Sequence, residues 1–163
     1  MALAWIALND EEYIFESFSS GLPACFPSAG RSELYALLLD LRALCSDSFT
    51  TIMTDCAQLI SLWNRFINAP FSSKLLQQPN YLIWLFIRYL ILDRNLKITL
   101  SKVLAHSDNA LNNQVDVLAK DAHSYMQLTF SPSAFINAPC ILLFDSLPID
   151  MNIWHFIRSV REA

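Results

Sequence analysis

Three carboxylic acids and one imidazole in this sequence have settings that suit chemistry better than packing: Glu33, Asp55, His106 and Asp116. The stretch Ile98 to Ala105 is largely apolar and ends in His106; a short polar loop follows, and Asp116 then sits in a segment whose Val115, Leu118, Ala119 and Ala122 keep helical spacing. Asp55 closes the β-branched run Phe49-Thr50-Thr51-Ile52-Met53-Thr54, and Glu33 lies near the start of another helical pattern. Ends of neighbouring strands converge on one edge of a sheet, where α/β proteins hold ligands. Carboxylates gathered there repel one another unless a hard cation sits between them. Mg²⁺ takes oxygen ligands, keeps several waters and pairs with phosphates. Two such ions about 3.5–4 Å apart can activate water and stabilise a leaving oxygen in phosphodiester cleavage.

Each group also has a plain structural explanation. Glu33 could be a first-turn acid favoured by the helix dipole. Asp55 could cap the helix that follows it. Asp116 could be a solvated helix residue, and His106 an ordinary strand end. The joint pattern is what points to a metal-binding constellation.

The elements that must position these groups are legible from periodicity. Residues 2–8 are apolar, Asn9 to Glu12 reads as a turn, and Tyr13, Phe15 and Phe18 follow with alternation, so a β-hairpin is expected. Ser19 to Pro27 reads as a loop. Ser28 can cap a helix running to about Leu44, with Leu34, Leu37, Leu38 and Leu41 on its buried face. A strand is expected over Ser48 to Thr54 and a helix over Ala57 to Ile67. After a connection at Asn68 to Ser73, a helix or helix pair spans Lys74 to Leu92. A strand over Leu96 to Ala105 and a helix over Leu111 to Leu128 complete the legible part. In the tail, Ile141 to Phe144 suits an edge strand and Asn152 to Val160 a short helix. Strands alternating with helices imply a mixed α/β sheet with helices packed on it.

Composition narrows the classes. The chain has 163 residues, 54% hydrophobic and 16% charged, which suits one globular domain with a short appendage. Two glycines argue against a glycine-rich phosphate loop. A net charge of −4 does not advertise a nucleic-acid binder, but acids awaiting a cation would produce the same local balance. Cys25, Cys45, Cys56 and Cys140 lack metal-site spacing and read as free buried thiols of an intracellular, reducing compartment. Tyr81 to Leu92 is the most apolar run, but it is short and contains Arg88, whereas a membrane span needs about 20 residues. A buried helix is the expectation, and no membrane partner is implied. The N-terminus lacks a basic leader.

Taken in order, Ser32-Glu33-Leu34 through Leu41, Thr54-Asp55-Cys56, and His106 through Asp116 with Leu118-Ala119-Lys120 resemble the ribonuclease H domain (type 1) of retroelements and cellular enzymes. The resemblance covers about Ala2 to His123. It implies a ribonuclease-H-like mixed sheet flanked by helices over residues 1–128, with 129–163 an extension or a linker to a neighbouring domain. It also implies two Mg²⁺ ions, or Mn²⁺ in their place, held by Glu33, Asp55 and Asp116. His106 would assist product release or proton transfer. The implied activity is cleavage of the RNA strand of an RNA–DNA hybrid, gripped through its backbone and 2′-hydroxyls, as part of a larger retroelement polyprotein.

The chain departs from that pattern in three places. The family's first strand carries an aspartate within a Thr-Asp-Gly-Ser-like stretch, and no such stretch is present here; Asp10 falls in the hairpin turn. The expectation is therefore a domain truncated at its N-terminus, with loss of activity or an interaction role as the alternative to catalysis. The apolar residues Phe144, Ile153, Trp154 and Phe156 of the tail would suit such an interaction role. Asn113 stands where many relatives carry glutamate. Residues 68–96 hold Lys74, Arg88 and Arg94 as their whole basic complement, in place of a basic helical protrusion.

Overall fold

The computed structural model describes residues 2–21, 28–103, 110–122, 143–144, 147–149 and 153–162. Strands β1 (Ala2–Leu8) and β2 (Ile14–Gly21) form an antiparallel hairpin, with Ala2 opposite Gly21 and Trp5 opposite Phe18. The turn is made by Asn9. Its side-chain Oδ1 accepts from the backbone N–H groups of Glu11 and Tyr13 at 3.0 and 2.8 Å. Glu12 takes the left-handed backbone (φ 63°) needed to close the turn. The strand continues through Ser19, Ser20 and Gly21, which the sequence pattern assigned to a loop. Cross-strand pairing with Ala2, Leu3 and Ala4 overrides the weak strand preference of that polar stretch.

Helix α1 (Ala29–Ala43) starts as expected at Ser28, whose Oγ accepts from the Arg31 N–H. Strand β3 (Phe49–Thr54) then leads into α2 (Ala57–Phe66). The segment read as one helix or two resolves into a 3₁₀ turn, Ser73–Gln77, and helix α3 (Tyr81–Asp93). Pro79 forces the break and Asn80, at φ 61°, reverses the chain. Strand β4 (Lys97–Lys102) pairs in parallel with β3, and α4 (Ala110–Ala122) follows. Further on, β5 (Leu143–Phe144) and β6 (Leu147–Pro148) make a two-residue antiparallel pair, and α5 (Ile153–Glu162) is an amphipathic helix with Phe156 buried.

Two turns set the β3–β4 register. Asp47 and Asn95 both have left-handed backbone, and each precedes one of the two strands. The Asp47 N–H donates to the Arg94 carbonyl at 2.8 Å, and Asn95 Nδ2 donates to Asp47 Oδ1 at 2.7 Å. The Lys97 N–H then donates to the Ser48 carbonyl, and the ladder runs on from Phe49 opposite Lys97.

The core lies around α1 and α3. Leu34, Leu38 and Leu41 of α1 meet Trp63 and Phe66 of α2, Ile83, Trp84 and Ile87 of α3, and Leu3 of β1; Ile52, Ile98 and Leu100 pack on this cluster from the parallel strands. The apolar run is thus a buried helix, as its length implied. Arg88, half-buried, turns its charge to use by donating to the carbonyls of Phe66, Ile67 and Ala69 where α2 ends. Among the described residues no helix is long and apolar enough to cross a membrane.

The α/β class is the one expected, but the sheet is divided. The hairpin and the parallel pair are separate two-stranded ladders, with no strand pairing between them among the described residues. The cysteine expectation also needs correction. Cys45 and Cys56 are free, but Cys45 is exposed and Cys56 half-buried, because each lies at a helix junction rather than on a core face. Cys25 and Cys140 lie outside the described residues.

Candidate active site

Glu33 sits on α1 just past its first turn. Asp55 follows β3 directly, and Asp116 lies midway along α4. Helical phasing from Ser28 carries Arg31, Ser32, Leu34 and Tyr35 into buried positions and leaves Glu33 half-buried beside them. Asp55 is placed by the β3-to-α2 turn, where the Thr54 Oγ1 accepts from the Cys56 N–H at 3.1 Å. Cys56, not Asp55, occupies the capping position of α2, and it makes no side-chain capping bond. The capping explanation for Asp55 therefore does not hold, and its carboxylate is free of that duty.

The three acids share one electrostatic environment. Burial pushes the Glu33 carboxyl above its ordinary range, and the negative charges of Asp55 and Asp116 push it further in the same direction. The first turn of α1 holds no acid, and Glu33 lies past it, so the first-turn explanation does not apply. Two helices and a strand thus bring Glu33 within the field of both other acids. Asp116 and Asn113 are exposed on α4, while Asp55 is half-buried. His106 lies outside the described residues.

The donor set is chemically suited to a hard dication: three carboxylates, of which Glu33 is made reluctant to ionise by burial and by the charges of the other two. The cation would relieve that repulsion. As placed, however, no group of three His, Cys, Asp or Glu side chains among the described residues is arranged to hold a metal ion. The acids sense one another without converging as ready-made ligands.

A cavity of about 80 Å³ is walled by Leu34, Cys56 and Trp84 and edged by Gln58, Gln78 and Asn80; none of the three acids lines it. Leu34 and Cys56 follow Glu33 and Asp55 in the sequence. The sequence reading passed over these amides because they are dispersed along the chain, with no spacing that brings them to one place. The signal it could have used is Pro79-Asn80, a turn that brings the start of α3 against the start of α1. There Arg31 donates to Asn80 Oδ1 at 2.8 Å.

None of the curated proteins compared matches the chain. The protein-family comparison is decisive at the level of the domain: the model of the family described as RNase H matches residues 3–124, which include all four of the singled-out residues. Ribonucleases H bind RNA–DNA hybrids and generally use divalent metals. With the match spanning most of its length, and with the α/β elements in the expected order, the chain belongs to the RNase H family.

Proposed function

We propose that this chain is a hybrid-directed nuclease domain in which Glu33, Asp55 and Asp116 form the carboxylate set for Mg²⁺ or Mn²⁺. The reaction would be hydrolysis of the RNA strand of an RNA–DNA hybrid. The observation that carries the reading is the gathering of acids from elements far apart in sequence: burial first, and then the charges of Asp55 and Asp116, raise the Glu33 carboxyl. Ordinary surface acids on three separate elements have no reason to be gathered with two of them half-buried.

The chain's own residues would act as follows. Asp55, fixed at the strand end, and Glu33, fixed on the α1 helix, would set one side of the site. Asp116 would close it from α4, on a more exposed side chain suited to adjusting as substrate arrives. His106, just before α4, would exchange a proton with solvent or assist departure of product. The bound cations would supply Lewis-acid polarisation of the scissile phosphate and a water ionised near neutral pH. Hybrid binding would rest on backbone and 2′-hydroxyl contacts, within a larger retroelement polyprotein that adds basic surface. An intracellular setting and a separate role for residues 129–163 belong to the same proposal.

The test is cleavage of a labelled RNA–DNA hybrid by the purified chain with Mg²⁺ or Mn²⁺, repeated with Asp55→Asn. Cation-dependent cleavage of the RNA strand that the variant loses is the expected result. Cleavage that survives both Asp55→Asn and Glu33→Gln would sink the assignment.

A second reading is favoured by one observation, the lack of a ready metal-binding group among the described residues. On that reading the chain is a non-catalytic member of the family that binds nucleic acid or protein. Hybrid binding without cleavage under either cation would select it.

A further inference from the structure

The first 30 residues of the chain carry four acids and no lysine or arginine, and three of those acids, Asp10, Glu11 and Glu12, stand together in the β1–β2 turn. Every residue from Asn9 to Ser19 is exposed, so the far end of the hairpin projects from the core as an arm. Beside its acids are two largely bare rings, Tyr13 at 68% exposed and Phe15 at 67%. They lie two residues apart at the start of β2, which puts them on one side of it. The turn is held by Asn9, whose Oδ1 accepts from Glu11 and Tyr13 and whose carbonyl accepts from the Glu12 N–H at 2.9 Å. Acids and rings are thus presented in a fixed arrangement, and little order has to be gained on binding.

Helix α5 has the opposite character. Its Ile157, Val160 and Arg161 fall three and four residues apart and share one face, and Arg158 borders that face three residues before Arg161. Ile157 is 40% exposed and Val160 46%, and both arginines are exposed, while Phe156 holds the helix by its buried side. Apolar side chains beside two guanidinium groups are the counterpart of two rings beside three carboxylates. Charge meets opposite charge, and guanidinium groups also stack on tyrosine and phenylalanine rings. Exposed aromatic side chains clustered with charge are the usual material of an interface. Both surfaces are bare within one chain, so their meeting takes two chains.

We infer that the hairpin arm docks on the α5 face of a second copy of this chain. Exchange of the two contacts, arm to helix and helix to arm, closes a twofold dimer. Glu11 and Glu12 of one copy face Arg158 and Arg161 of the other, and Tyr13 and Phe15 cover Ile157 and Val160. One arm on one short helix buries little area, so the dimer is weak and forms at high concentration. The inference is independent of metal binding and of catalysis.

The experiment measures the mass of the full chain by sedimentation equilibrium, from about 10 μM to about 1 mM at low salt. The wild type rises towards twice the monomer mass. One variant carries Glu11→Arg with Glu12→Arg, and the other Arg158→Glu with Arg161→Glu. All four positions are exposed, so the fold is spared. Each variant by itself sets like charges against like and stays a monomer across the range. An equimolar mixture of the two opposes unlike charges at both contacts and recovers the wild-type mass, which also shows that both variants are folded. A wild type that stays a monomer throughout would overturn the inference. Association that either reversal leaves intact, or a mixture of folded variants that fails to associate, would overturn it as well.

Discussion

Asp40 offers a quantitative test of the packing. It lies near the end of α1, half-buried, and its carboxyl is pushed up to about 6 from an ordinary 3.8, first by burial and then by the negative charge of Glu16 on β2. A raised folded-state value means that the folded protein binds this proton more tightly than the unfolded chain. Between about pH 4 and 6 the folded state therefore holds more protons, and stability falls as pH rises through that window. At about 1.4 kcal/mol per pH unit the interval amounts to ~3 kcal/mol, and residual solvent contact brings the expectation to ~1–2 kcal/mol. The perturbation is Asp40→Asn, which keeps the shape and removes the charge. Urea unfolding at pH 4 should show the two proteins nearly equal, and at pH 7.5 the variant should be the more stable by ~1–2 kcal/mol. Glu16→Gln should recover the smaller part of that gain, because burial is the larger cause. A difference between wild type and Asp40→Asn that is the same at both pH values, or a variant less stable at pH 7.5, would refute the reasoning.

Other substitutions probe separate features. Leu38→Ala, at a fully enclosed position between α1 and α3, should cost ~2–5 kcal/mol in chemical denaturation. Arg88→Met keeps much of the stem but strips three carbonyls of their donor, and a loss of ~1.5–3 kcal/mol is expected by the same assay. Gly30→Ala should be neutral to stabilising by up to ~1 kcal/mol in thermal unfolding, since an added Cβ there meets nothing within 4 Å. Glu33→Gln should raise the melting temperature in the absence of divalent cation, by removing a half-buried charge among like charges, and should abolish any stabilisation by Mg²⁺.

Much of the scaffold was readable in advance because its signals are local. The leucines of α1 keep a helical period behind a serine cap, and the Asn9 turn declares itself by composition. The β-branched run of β3 ends at an aspartate as its pattern suggests. What escaped the reading is non-local. That β2 extends to Gly21 depends on its partner strand, not on its own residues. That Asp55 leaves the cap to Cys56 depends on how Thr54 shapes the turn. The division of the sheet could not be seen in periodicity, which reports faces and not edges. At the site, the roles of Glu33, Asp55 and Asp116 were suggested by order and spacing. The charges that Asp55 and Asp116 exert on Glu33 are a property of three elements folding together, and the amide-edged cavity has no linear signature at all.

The divided sheet also bears on how the chain reaches and leaves its native state. The β1–β2 hairpin closes over a five-residue turn and is a fast, local event. The β3–β4 ladder instead brings Phe49 to Lys97 across two helices, a long closure that delays its pairing. With no backbone bonds linking the two ladders among the described residues, their cooperativity travels through side chains seated on α1. The hairpin can therefore open as a separate unit at a lower free energy than the parallel ladder. A change on the leucine face of α1 weakens the coupling between the two units as well as the stability of each.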